Sequence, residues 1–182
     1  WKKINDEGEQ GRVSLETALR ATCAPSRVLD LLANFVAFVE MPGGLVKALA
    51  KNHQFLGVNN TIDAIREAKE RDGRLGVFWH TQGSGKSLSM LWFTQKVLRT
   101  MPGNWTFVMV TDRKELDHQL YETFVDADAV TTGTNVHAET SAHLRELLSV
   151  DHRYVFTLIH KFIPPEPDAE MPVLSDRDDI VV

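Results

Sequence analysis

Residues 80–87 read His80-Thr81-Gln82-Gly83-Ser84-Gly85-Lys86-Ser87. The residue types at this spacing suit one task, which is holding phosphate. Gly83 and Gly85 let the backbone turn successive N–H groups inward around an anion. Lys86 can reach the β- and γ-phosphates of a nucleotide, and the Ser87 hydroxyl can ligate Mg²⁺. Thr81 and Ser84 complete the lining. A helix that opens at Ser87 would turn its positive end toward the bound anion. The general pattern, G-x-x-x-x-G-K-[ST], asks for glycine at the first position, where this chain has His80. The two glycines that shape the turn are the later ones, and His80 is read as a structural residue at the end of a strand.

Three further stretches hold residues that could bind. In "AKNHQFLG" (50–57), the Gln54 amide could form a two-point hydrogen bond with an adenine edge. In "VTDRKELDHQ" (110–119), Thr111 and Arg113 combine a hydroxyl and a cation at a helix start, which suits a nucleic-acid phosphate. A capped helix start with solvated charges accounts for them equally well. In "FTLIHKF" (156–162), Thr157 and Lys161 could add backbone contacts, although a lysine at a strand end is ordinarily just solvated. The histidines show no metal-ligand spacing, and His53 reads as isolated.

Elements must position these residues. Hydrophobic period and breakers predict helices over 14–23, with Ser14 as cap and Leu15, Ala18, Leu19 and Thr22 inward, and over 25–40, with Leu29, Leu32, Phe35, Val36 and Val39 inward. "MPGG" (41–44) breaks the second helix, 45–57 is ambiguous between strand and helix, and 59–73 is a helix with Asn60 or Thr61 near its cap. Buried strands are predicted at 74–80, 104–111 and 153–159, with a fourth starting at 179. Helices are predicted at 87–101, 112–124 and 139–149. The helix at 112–124 is read with an Asp112/Glu115 capping box and an inner stripe of Leu116, Leu120, Tyr121 and Phe124. The proline-rich stretch 164–172 is an exposed loop. Strands alternating with helices imply an α/β fold with a parallel sheet, preceded by a helical lead-in.

Bulk properties narrow the classes. The chain has 182 residues, a formal charge of −5 and 43% hydrophobic residues, an ordinary globular balance. Net charge gives no argument for nucleic-acid binding, so any such contact rests on a local basic patch. Cys23 is the sole cysteine, which excludes a disulfide framework or a cysteine metal cluster. No apolar run reaches membrane-spanning length, and "WKKINDEGEQG" is too polar for a signal peptide. The absence of an initiator Met and the close on "DDIVV" are read as marks of a piece of a longer protein.

With these pieces in order, the chain resembles the motor (R) subunit of type I restriction enzymes, a superfamily 2 helicase-like translocase. The stretches that carry the resemblance are "KNHQFLGVNNTIDAI", "GVFWHTQGSGKSLSM", "FVMVTDRKELDHQL" and "YVFTLIHKF", in order over 51–162. His at the first loop position is usual in that family. "VTDRKELDHQL" is similar to helicase motif Ia and "FTLIHKF" to motif Ib, although the family more often has Thr where Leu158 stands and Gln where His160 stands.

The resemblance implies an incomplete RecA-like P-loop NTPase domain over 51–182, with 1–50 as a helical linker following a nuclease domain. It implies ATP and Mg²⁺ as cofactors, with Gln54, Thr81, Gly83, Ser84, Gly85, Lys86 and Ser87 at the nucleotide. It also implies that Thr111, Arg113, Thr157 and Lys161 lie on double-stranded DNA. The modification and specificity subunits of a restriction complex are the implied partners, in the cytoplasm and without a membrane. The family's D-E-x-H box, arginine fingers and nuclease constellation are expected outside this chain. Another P-loop enzyme, such as a small-molecule kinase, and a non-catalytic interaction module are the competing readings.

Overall fold

The computed structural model describes residues 1–5, 10–11, 13–164, 173 and 175–182, so the predicted loop at 164–172 lies outside the described residues except for Pro164. The chain divides into two compact units, Trp1–Arg99 and Thr100–Val182.

In the first unit, α1 spans Leu15–Thr22. Its predicted cap forms, with Ser14 Oγ accepting from the Thr17 N–H at 3.0 Å. The predicted inner stripe is out of phase. Thr17 and Ala21 are buried, while Leu15 and Leu19 are exposed. Helix α2 spans Pro25–Asn34, with proline at its first position, where no backbone donor is needed. It ends earlier than the predicted 25–40 helix. Phe35 leaves helical geometry at φ −127°, and Val36–Met41 forms strand β1.

Strand β1 pairs antiparallel with β2, Gly44–Leu49, in the register Val36↔Leu49 to Met41↔Gly44. The correction has a local cause. "VAFVEM" is rich in β-branched and aromatic residues, and Gly44 at φ 106° lets "MPGG" reverse the chain instead of merely stopping it. Here too the inward face differs from the prediction: Leu31, Asn34 and Phe35 are buried, and Leu29 and Leu32 are exposed.

Helix α3 runs Asn52–Arg66. It resolves the ambiguous stretch as strand then helix, and it places Asn60 and Thr61 inside the helix instead of at its cap. A 3₁₀ turn, Ala68–Arg71, follows, and Asp72 and Gly73 close it at positive φ. Residues 74–80 form no strand, contrary to the sequence reading. An apolar run becomes a strand only when a neighbouring ladder takes up its backbone groups, and no ladder partner meets this one among the described residues. Val77 is 93% and Trp79 78% exposed, and Gly76 bends the segment at φ 116°. Helix α4, Lys86–Thr100, is apolar on several sides as expected. Its Leu91, Trp92 and Val97 are buried, as are Phe35, Phe55, Val58 and Ile62. The Phe35 ring lies 4.7 Å from that of Phe55 and 6.4 Å from that of Trp92.

The second unit holds the predicted parallel sheet. Strands β3 (Thr106–Thr111), β4 (Tyr154–Leu158) and β5 (Ile180–Val181) run in the order β4-β3-β5. Phe107 pairs with Tyr154 on one side and with Val181 on the other. Parallel neighbours need a crossover, and helices α5 (Lys114–Asp126) and α6 (Ser141–Ser149) lie between β3 and β4 in the chain. The α5 capping box does not form, since Arg113 is the cap residue and makes no side-chain cap bond. In the predicted stripe of α5, Leu120 and Phe124 are buried but Leu116 is exposed. Asp117 is buried beside them, with Oδ2 3.0 Å from Nδ1 of His137. Val108 and Val155 of the sheet pack with Leu144 and Leu147 of α6 in a common core. Arg177 fastens β5 by donating to Thr106 Oγ1 at 3.0 Å and to Asp179 Oδ1 at 2.9 Å.

Candidate phosphate-binding site

The loop residues Thr81 to Gly85 join an irregular segment to the first turn of α4. Gly83 and Gly85 both take left-handed backbone, at φ 75° and 84°, which a side chain would strain. The Ser84 N–H donates to the Thr81 carbonyl at 3.3 Å, closing a tight turn. Lys86 Nζ folds back across this turn and donates to the carbonyls of His80 and Thr81 at 2.9 and 3.0 Å. The side chain is thus held at the loop by two neutral acceptors in an exposed position. Ser84 Oγ is buried with no hydrogen-bond partner among the described residues. Ser87 stands half-buried in the first turn of α4.

The fold brings Gln54 to the loop, where its amide bonds the loop backbone. It is 2% exposed. Its Nε2 donates to the Ser84 and Gly85 carbonyls at 3.3 and 3.0 Å, and its Oε1 accepts from the Lys51 N–H at 2.8 Å. A primary amide offers two donors and two acceptor lone pairs. Both donors are engaged, so a two-point bond to a base requires exchanging at least one of them.

The sequence reading missed His53. Its Nε2 lies 3.2 Å from the Ser84 carbonyl, and its ring meets that of His80 edge-on at 4.6 Å. His80 in turn meets Phe78 at 4.4 Å. The only sequence signal for this cluster was the adjacency of His53 to Gln54. What made it a cluster was a fold that laid the start of α3 on residues some thirty positions downstream.

The four residues read as DNA contacts all belong to the second unit. Arg113 is exposed, with Nε 3.4 Å from Asp112 Oδ2. Thr111 is half-buried, and its Oγ1 donates to the Arg113 carbonyl at 3.4 Å. Lys161 Nζ donates to the Glu139 carbonyl. Thr157, next to last in β4, is 1% exposed, and its hydroxyl has no hydrogen-bond partner among the described residues. Thr111, Arg113 and Lys161 can be reached from solvent, and Thr157 cannot.

The donor set fits an oligophosphate. The loop has two glycines that bare the backbone, a lysine on exchangeable acceptors, a buried hydroxyl without a partner and a helix start. It fits Mg²⁺ only as a companion of phosphate. No group of three or more His, Cys, Asp or Glu side chains that could hold a metal occurs among the described residues. Ser87 would therefore share the ion with phosphate oxygens and water.

A parallel α/β unit and a glycine-lysine loop opening a helix define a P-loop nucleotide-binding protein. Residues 53–182 match the family model described as SWI2/SNF2 ATPase, and the chain belongs to that family. Over its whole length it is 35% identical to part of the type I restriction enzyme HindI endonuclease subunit of Haemophilus influenzae, covering 18% of that protein. Over 93% of its length it is 30% identical to the provisionally named type I restriction enzyme MjaIXP endonuclease subunit of Methanocaldococcus jannaschii, covering 16% of that one. The chain thus spans less than a fifth of either relative. No described helix is long and apolar enough to cross a membrane.

Proposed function

We propose that this chain is the ATP-binding part of the motor subunit of a type I restriction enzyme. In this reading, ATP hydrolysis drives translocation along double-stranded DNA, and a nuclease domain elsewhere in the protein cuts it. Residues 51–182 are the first part of the first RecA-like motor domain, and 1–50 link it to the nuclease. The protein works in the cytoplasm with the modification and specificity subunits of the complex.

The observation that carries this reading is the position of Lys86. Its ammonium group lies on two neutral carbonyls of the loop. A phosphate oxygen adds the attraction of opposite charges to the hydrogen bond that a neutral carbonyl already gives the ammonium group, so the triphosphate displaces those carbonyls. Gly83, Ser84 and Gly85 then present backbone N–H groups to the phosphate oxygens, with Thr81 beside them. Lys86 neutralises the β- and γ-phosphates, and Ser87 ligates Mg²⁺. The bound metal supplies further neutralisation of phosphate charge. Gln54 reads the adenine edge after exchanging a loop carbonyl for the base, which couples base recognition to loop opening. Thr111, Arg113 and Lys161 rest on the DNA backbone.

The test is ATP turnover by the intact protein assembled with its modification and specificity subunits, with and without duplex DNA carrying the recognition site. Wild-type protein shows DNA-stimulated turnover and displaces a triplex-forming strand from distant DNA. Lys86→Ala loses both by about a hundredfold or more, as removal of a phosphate-clamping charge does. Turnover that is indifferent to Lys86→Ala or to DNA overturns the proposal.

A further inference from the structure

A half-buried charged cluster lies in the first unit. Lys96 lies on α4, downstream of the loop lysine, and its side chain is 10% exposed. Its Nζ donates to Asp30 Oδ1 at 2.5 Å and to Asn59 Oδ1 at 2.6 Å. Asn59 Nδ2 donates to Asp30 Oδ2 at 3.3 Å, and Asn34 Nδ2 donates to Asp30 Oδ1 at 2.9 Å. The same ammonium group lies 4.9 Å from the centre of the Phe35 ring.

The cluster joins three elements. Asp30 and Asn34 come from α2, Asn59 from α3 and Lys96 from α4. Two of these helices hold the phosphate loop. Helix α3 carries His53 and Gln54, which bond the Ser84 and Gly85 carbonyls, and α4 begins with Lys86. A second bond, from Arg99 Nη1 to the Ala33 carbonyl at 2.6 Å, again ties α4 to α2.

With Lys96 10% and Asp30 23% exposed, the pair is a poor device for stability alone, because the cost of partly desolvating the two charges offsets much of their attraction. What it supplies well is geometry. A carboxylate with three donors around it fixes the rotation and axial position of each helix, whereas an apolar contact tolerates sliding.

We propose that the Asp30–Lys96–Asn59 cluster is a positioning device for the phosphate loop, so that α2 is a working part of the nucleotide site although it precedes the matched residues 53–182. The cluster does not touch nucleotide. It sets the distance between the start of α3 and the start of α4, and with it the opening in which Gln54, Gly85 and Lys86 meet. This inference rests on the proposal that the loop binds ATP.

The test uses the intact protein and the paired variant Asp30→Leu/Lys96→Met, which replaces the ion pair with apolar side chains of similar size. If the cluster served stability alone, the pair would restore both folding and binding. The expected result is a thermal midpoint within about 4 °C of wild type but a Kd for a fluorescent ATP analogue raised about tenfold, within the range of site-to-site couplings. DNA affinity without nucleotide stays unchanged. A folded paired variant with wild-type nucleotide affinity overturns the proposal. Should the pair fail to fold, Asn59→Leu leaves the ion pair and removes the third member. It is expected to weaken nucleotide binding several-fold, and unchanged affinity again overturns the proposal. Lys86→Ala is the control. If it binds nucleotide as well as wild type does, the ATP reading itself fails. If it loses binding while the cluster variants keep it, only the positioning role fails.

Discussion

Gln54 and Gly85 are in contact with no space to spare. Nε2 of Gln54 donates to the Gly85 carbonyl at 3.0 Å, and a Cβ placed on Gly85 would lie 2.7 Å from that same nitrogen. The glycine therefore answers two demands, a left-handed φ of 84° and a close approach by the amide. Gly85→Ala is expected to raise the Kd for Mg-ATP by about tenfold or more, because the strained backbone alone costs on the order of 1–3 kcal/mol. Adding Gln54→Ala relieves the clash but leaves the φ strain and removes the amide assigned to the adenine, so the double variant does not regain wild-type affinity, as read by titration with a fluorescent nucleotide. Wild-type affinity in Gly85→Ala would mean that the loop does not need this geometry to bind.

Gly57 stands in mid-helix for a comparable reason. A Cβ there would lie 2.2 Å from Cε2 of Phe78, so the ring packs where a side chain would be. Glycine costs a helix interior about 1 kcal/mol relative to alanine, and this helix accepts that cost to seat Phe78 against His80. Gly57→Ala is expected to destabilise by about 1 kcal/mol net, with overpacking exceeding the helix gain. Combining it with Phe78→Leu removes the clash and keeps the gain, so the double variant should be more stable than Phe78→Leu alone. Denaturant unfolding decides the matter, and a Gly57→Ala protein more stable than wild type would refute it.

How far the sequence was legible depends on how local each signal is. The Ser14 cap, helices α4, α5 and α6, and strands β3 and β4 were readable because their evidence lies within one turn or one apolar run. The α2–β1 boundary was not. Leu32, Phe35, Val36 and Val39 fall at helical spacing, yet Val36 to Met41 suits a strand equally well, and the Gly44 turn decides for the hairpin. The inward face of α2 was misjudged for a different reason. Asp30 and Asn34 look like solvent-facing residues until Lys96, 66 positions from Asp30, arrives to pair with the carboxylate. A hydrophobic pattern cannot anticipate a half-buried polar network whose partners are distant. The run at 74–80 misled in the opposite way, since apolar content suggests a buried strand but only a neighbouring ladder makes one. At the site, the glycines, Lys86 and Ser87 were legible as a spacing. The grip of His53 and Gln54 on the loop carbonyls was not, because it exists only once α3 has been placed.

The four residues read from the sequence as DNA contacts separate on burial, and that separation can be measured. Arg113 is exposed and Thr157 is 1% exposed with an unpartnered hydroxyl. If Arg113 meets a phosphate, Arg113→Ala weakens duplex binding regardless of sequence and reduces the slope of log K against log salt by about 0.9, the release of one counterion. Lys161→Ala behaves similarly after giving up its bond to the Glu139 carbonyl. Thr157→Val is expected to leave both affinity and slope unchanged, because no phosphate reaches a side chain inside β4. Removing an unpaired buried hydroxyl should instead raise stability by about 1 kcal/mol. Fluorescence anisotropy of a labelled duplex with the intact protein at several salt concentrations gives the slopes, and thermal unfolding gives the stability. A slope loss in Thr157→Val equal to that in Arg113→Ala would mean that β4 opens to the DNA, and the burial argument would fail.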